Sequence, residues 1–167
     1  MSSIVRKSIA NGVSFNSVNE ERFKTAKISV TMFVPLEKST AAGYALLPSL
    51  LAYSCKKYPD AISLNRVLSN CYGAGIGAYC RKMGECLAMT LTISGIDDRY
   101  TMQGEKISPE LVNLLCEVIF NPKIENKAFA EEDFNQCKRQ LIEAIDAEYN
   151  EKRIYAISQL TSAMCEN

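Results

Sequence analysis

Residues 27–53, KISVTMFVPLEKSTAAGYALLPSLLAY, constrain the fold more than any other stretch. Ile28, Val30, Met32 and Val34 alternate with Ser29, Thr31 and Phe33, the period-2 pattern of a half-buried strand. Pro35 lacks a ladder donor and closes the run. Ser39 and Thr40 are candidate acceptors for the free N–H groups of a helix start. From Ala41 to Tyr53 nearly every residue is apolar or small, so this helix has to be buried on most sides. Pro48 lies inside it and removes one backbone hydrogen bond, at a cost of about 3 kcal/mol. Either the segment splits into two short helices or burial outweighs the kink. A helix at the end of a strand is a common place for an active site, yet this one offers no base, acid or ligand.

The remaining composition narrows the chemistry further. The chain has no histidine, which removes the commonest zinc ligand and general base. Ser-His-Asp and Cys-His catalysis are excluded within it. Seven cysteines are present without a CxxC pair, so they read as reduced, buried small hydrophobes. Cys137, followed by Lys138 and Arg139, is the one mild candidate for an activated thiol. Glu143 and Asp146, three apart on one helix face, are a second candidate pair, with a solvated pair as the simpler reading. Lysine plus arginine and aspartate plus glutamate both number 19, with no block of like charge, so neither a nucleic-acid nor a membrane partner is expected. No apolar run reaches membrane-spanning length, and the start, MSSIVRKSIANG, lacks the apolar core of a signal peptide. A cytoplasmic location is expected.

The elements follow in order. Two strands, about 3–9 and 12–17, flank the Asn11-Gly12 turn. The strand at 27–34 and the helix at about 40–54 come next. Asp60 caps a helix over about 60–72, with Ile62, Leu64, Val67, Leu68 and Cys71 as its apolar stripe and Gly73 just past its end. Strands at about 74–82 and 85–95 form a second hairpin around Met83-Gly84. Gly75 and Gly77 bare one face of the first of these, either for close packing against a helix or for an edge that accommodates a backbone or ligand. Gly73-Ala74-Gly75-Ile76-Gly77 follows a helix and opens a strand, the reverse of a dinucleotide fingerprint. Ser108-Pro109-Glu110 begins a helix that Asn121-Pro122 ends at about 120. Helices at about 128–149, with a seam of Phe134, Leu141, Ile145 and Tyr149, and at about 154–165 complete the chain. Strands arriving in neighbouring pairs with helices between them argue for an α+β fold, a mainly antiparallel sheet with helices on one face.

Laid end to end, these segments resemble the N-terminal domain of the insulinase/pitrilysin family, zinc peptidases with an inverted zinc motif, whose half domains share the LuxS-like metalloenzyme fold. The family's H-x-x-E-H stands on the first helix after the third strand. The matching stretch is Gly43-Tyr44-Ala45-Leu46-Leu47-Pro48-Ser49-Leu50. The resemblance puts both metal-binding histidines on Leu46 and Leu50 and the catalytic glutamate on Ser49. The third ligand, a glutamate in a later helix, falls on Ala144, or on Glu143 if the register moves by one. Cys71-Tyr72-Gly73-Ala74, Arg81-Lys82-Met83-Gly84, Phe120-Asn121-Pro122 and Asn150-Glu151-Lys152-Arg153-Ile154-Tyr155-Ala156 resemble a bacterial subgroup lacking the zinc motif, some members of which are associated with elongation factor P modification.

That resemblance implies a catalytically inactive, peptidase-like protein with no cofactor and no metal. Peptide hydrolysis by this route needs three ligands on zinc and a carboxylate to take a proton from the bound water. Leucine cannot ligate, and serine is a poor base at neutral pH. The resemblance also implies that residues 1–167 form one incomplete N-terminal domain. Its partners would be a zinc-bearing relative, or its own second domain, and an extended peptide. A structural scaffold without peptide contact is the alternative, as is peptidase activity only in complex with a partner. Exposed apolar surface would favour homo-oligomers of the fragment.

Overall fold

A computed structural model describes residues 3–164. The elements are β1 (Ser3–Ala10), β2 (Val13–Asn19), β3 (Thr25–Pro35), α1 (Ala41–Tyr53), α2 (Ala61–Asn70), β4 (Gly75–Met83), β5 (Cys86–Ile96), a 3-10 turn (Asp98–Tyr100), α3 (Ser108–Phe120), β6 (Ile124–Glu125), β7 (Ala128–Phe129), α4 (Glu131–Glu148) and α5 (Lys152–Met164). The end of the last predicted helix, at 165, and Cys165 lie outside the described residues.

The fold is α+β. Its centre is a three-stranded antiparallel sheet in the order β3-β5-β4. β5 is buried on both faces because it lies between two strands with α1 and α3 behind it. Leu87, Met89, Leu91 and Ile93 face the helices; Ala88, Thr90 and Thr92 are buried on the outer face. Thr31 and Thr90, paired across the β3–β5 ladder, join their hydroxyls at 3.0 Å. The main core gathers Leu51, Leu64, Leu68, Leu91, Ile93, Leu111, Leu115 and Val118. Each such side chain contributes about 1.5–3 kcal/mol by leaving water.

Several expectations are corrected. β1 and β2 pair only with each other and form a separate hairpin rather than joining the sheet. Ile4 and Val5 are neighbours, so both faces of the hairpin carry apolar residues and neither is selected for burial. Of the two readings left open for the Pro48 segment, the single helix holds: α1 runs unbroken through Pro48, which is itself buried, so packing outweighs the lost hydrogen bond. Thr40 makes no capping bond to α1; its hydroxyl donates to the Glu37 carbonyl instead. Asp60 does cap α2, accepting from the Ser63 N–H at 2.7 Å, but Ile62 stands outside the apolar stripe, 73% exposed. The start of α3 is capped from a distance. Asp98 Oδ1 accepts from Ile107 N, Ser108 N and Ser108 Oγ, so Ser108 is a donor and not the cap. α4 begins at Glu131 rather than 128, because Ala128–Phe129 pairs with Ile124–Glu125. Its buried seam passes through Cys137 and Leu141, whereas Phe134, Ile145 and Tyr149 are exposed.

Candidate functional site

The two stretches that the resemblance matches to the family's zinc motifs lie on α1 and α4, which are in contact. α1 emerges from the 36–40 turn beyond β3 and packs on β4 and β5. Leu46 and Leu50, one turn apart, present 6% and 5% of their surfaces to solvent. They pack against Cys137 of α4, with Tyr53, Phe129 and Leu141 around them. Ser49 is half-buried between them along the helix. Ala144 lies one turn beyond Leu141 on the same stripe of α4 and is exposed. Glu143 points elsewhere: its carboxylate stands 3.8 Å from Arg139, and both side chains are about two-thirds exposed.

This donor set does not fit zinc. The groups at the two positions that the resemblance gives to imidazoles are aliphatic, and the side-chain donor atoms in the cluster are the Cys137 sulfur and the Tyr53 phenol oxygen. Burial pushes the Cys137 thiol up, and the nearby Asp133 carboxylate pushes it further, so the neutral form is favoured. A metal-binding or nucleophilic thiol needs the opposite shift. Among the described residues, no group of three or more cysteine, aspartate or glutamate side chains stands close enough to hold a metal ion.

The same geometry bears on the two other candidates. Lys138 and Arg139 follow Cys137 in sequence but are exposed, while the charge beside the sulfur is the acid one turn earlier. Glu143 and Asp146 are both exposed to water, as the simpler reading of a solvated pair has it. The cysteines are also less uniform than expected: Cys55, Cys71 and Cys137 are buried, Cys80 and Cys86 half-buried, and Cys116 exposed.

A polar tie beside the cluster was not visible in the sequence. Ser54, at the end of α1, donates to Asp133 Oδ2 at 2.9 Å. Lys123 Nζ lies 3.9 Å from that oxygen and donates to the Pro59 carbonyl at 3.0 Å. These bonds hold the start of α4 against the end of α1. Asp133 read only as a favourable charge near a helix N-terminus, because Ser54 is 79 residues away in the chain.

The glycines of β4 divide. A Cβ on Gly77 would stand 2.9 Å from Thr92 Oγ1, and Thr92 donates to the Gly77 carbonyl. A Cβ on Gly75 would meet nothing within 4 Å. Close packing therefore explains Gly77, and the neighbour is a strand rather than a helix.

No protein-family model matches the chain. It is 31% identical over 161 residues to the Bacillus subtilis (strain 168) protein named "Probable inactive metalloprotease YmfF", an alignment that spans 96% of this chain and 38% of that protein. The crystal structure of a conserved protein from Enterococcus faecalis V583 matches with a TM-score of 0.83 and 27% identity, over 95% of this chain and 37% of that one. The chain thus spans less than two fifths of the length of either protein. Over nearly its whole length the chain is thus similar to part of a protein named as a probable inactive metalloprotease.

Proposed function

We propose that this chain is the N-terminal domain of an insulinase/pitrilysin-type protein of the zinc-motif-lacking bacterial subgroup, working in the cytoplasm as a non-catalytic wall of a peptide-binding chamber. A zinc-bearing relative, or a second domain in a longer form of the protein, completes the chamber. The observation that carries the inactive reading is the Leu46–Leu50–Cys137 cluster: the would-be metal locus is filled with core. Peptide contact is supported by β4, an edge strand whose outer side pairs with no other described strand. Such an edge offers main-chain donors and acceptors to an extended segment. Association with elongation factor P modification follows from the subgroup motifs and is part of the same proposal.

The test has two arms. Purified chain, loaded with zinc and dialysed, is expected to retain no stoichiometric metal by elemental analysis. Tight binding of one zinc per chain, with peptide cleavage lost on chelation, would overturn the inactive reading. A photo-crosslinking peptide is expected to label β4. Labelling absent from β4 while a peptidase-like partner still co-purifies would favour a scaffold without peptide contact.

A further inference from the structure

The outer face of the sheet, opposite α1 and α3, is not bare. A groove of about 720 Å³ runs between it and β2. β4 contributes the alternate residues Tyr79, Arg81 and Met83, and β3 contributes Ser29, Thr31 and Phe33 in alternation beyond a start at Lys27 and Ile28, so most of the floor is a sheet face. β2 contributes five consecutive residues, 14–18. Side chains alternate along a strand, so consecutive residues line a groove only where the strand turns its edge toward it. That edge has no ladder partner among the described strands, because β1 occupies the other.

The charge of the groove is one-sided. Lys27 and Arg81 line it and no carboxylate does. On the hairpin wall, Arg6 lies opposite Asn16 and Lys7 opposite Phe15. Residues 3–19 contain no acid, in a chain whose formal net charge is zero. None of these four cations makes an ion pair among the described residues. Between the charges lie exposed apolar groups: Phe15, Phe33, Tyr79 and Met83.

We propose that this groove docks an acidic, extended polypeptide segment of a partner protein, hydrogen-bonded to the free edge of β2 and laid across Phe33 and Tyr79. Carboxylates on the segment would meet Lys27 and Arg81, and its alternate apolar side chains would cover the aromatic floor. A polypeptide suits the site better than a nucleic acid. A strand edge offers donors and acceptors at peptide spacing, and a few cations are too few for phosphate-driven binding. The surface is separate from the α1–α4 cluster and from the outer edge of β4, so this inference stands apart from the chamber reading.

The test uses the 167-residue chain and a fluorescein-labelled peptide of about ten residues, the length of a long strand, alternating glutamate and valine. Three counterparts replace glutamate with glutamine, replace it with lysine, or N-methylate alternate backbone nitrogens. By fluorescence anisotropy the glutamate peptide is expected to bind at least tenfold more tightly than the glutamine peptide, with affinity falling as salt rises. The lysine peptide should not bind, and the N-methylated peptide should lose most of its affinity. Lys27→Glu/Arg81→Glu, with an unchanged circular dichroism spectrum, should reverse the preference toward lysine. Equal binding of the glutamate and glutamine peptides, or no binding, overturns the proposal. So does retention of acidic-peptide binding by the charge-reversed variant. Displacement of the peptide by a single-stranded oligonucleotide of equal charge would assign the groove to nucleic acid instead. A dimer that the charge reversal dissolves would assign it to a second copy.

Discussion

Leu46 and Leu50 sit at the two positions that the family resemblance gives to imidazoles, and the cluster around them makes an opposite demand from a catalytic site. A catalytic helix tolerates little change at its polar residue and gains no stability from its ligands; here stability should reside in the leucines. Leu50→Ala is expected to lower unfolding free energy by about 2–5 kcal/mol in a urea titration, while Ser49→Ala should change it by less than about 0.5 kcal/mol. Cys137 gives a second prediction. Burial, and then Asp133, raise its thiol pKa in the folded protein, and burial, followed by Glu110, raises that of Cys71. A thiol whose folded pKa exceeds its unfolded value adds stability that is complete below the unfolded pKa, about 8.5. That stability is lost as pH rises through the folded value. The urea midpoint should therefore fall as pH climbs through and beyond about 9, and less so in Cys137→Ala. Alkylation mapped by mass spectrometry should reach exposed Cys116 first and the buried Cys55, Cys71 and Cys137 last. The burial of Leu46 and Leu50 was legible in the sequence, since an apolar helix has nowhere to go but inward. The setting of Cys137 was not. Adjacent residues on a helix point about 100° apart, so Lys138 and Arg139 say little about the sulfur, and the acid at i−4 says more.

At the scale of elements, periodicity carried most of the reading. The alternation in β3 and β5 and the 3.6-residue stripe in α2 each name a face, and a face suffices to place an element on a core. Where two faces compete, the pattern fails. On α4 both Phe134-Leu141-Ile145 and Cys137-Leu141 run along the helix, and only the position of α1 decides that the second is turned inward. The caps of α1 and α3 failed for a related reason. A local serine or threonine is an available acceptor, but Asp98 serves α3 from ten residues away, which no spacing rule anticipates. Gly77 makes the argument testable. Gly77→Ala pushes a Cβ to 2.9 Å from Thr92 Oγ1, a β-branched side chain in a buried strand with little room to move. It should cost about 1–3 kcal/mol, as overpacking does. Gly75→Ala, on the same strand and face but open, should be neutral or slightly stabilising, since it restricts the unfolded chain. Thr92→Ala should recover part of the loss in the Gly77→Ala background, a coupling that a thermal-melt double-mutant cycle would reveal.

For the whole molecule the notable quantity is apolar surface left in water. α5 has no buried residue, and Ile154, Ile157, Leu160 and Met164 recur along it at helical spacing, each more than half exposed. Ile142, Ile145 and Tyr149 of α4 add to the exposed apolar surface before the turn into α5, where Tyr149 meets Tyr155 edge to face. A soluble monomer seldom leaves a stripe of large apolar side chains along a helix uncovered. Zero formal net charge supplies no long-range repulsion to keep copies apart. The chain studied alone should therefore self-associate at tens of micromolar, with a sedimentation coefficient that rises with concentration. Because burial of apolar area drives the contact, moderate salt should not dissolve it, in contrast to the salt-weakened acidic-peptide binding expected of the β2 groove. Ile157→Lys/Leu160→Lys should return the sample to a monomer. Its helix content should not change, because neither side chain contributes to the core. If the wild-type chain remains monomeric at hundreds of micromolar, the α4–α5 face is tolerated in water and needs no cover. If the double variant unfolds α5 rather than freeing it, the stripe is an internal contact and the face has to be sought elsewhere.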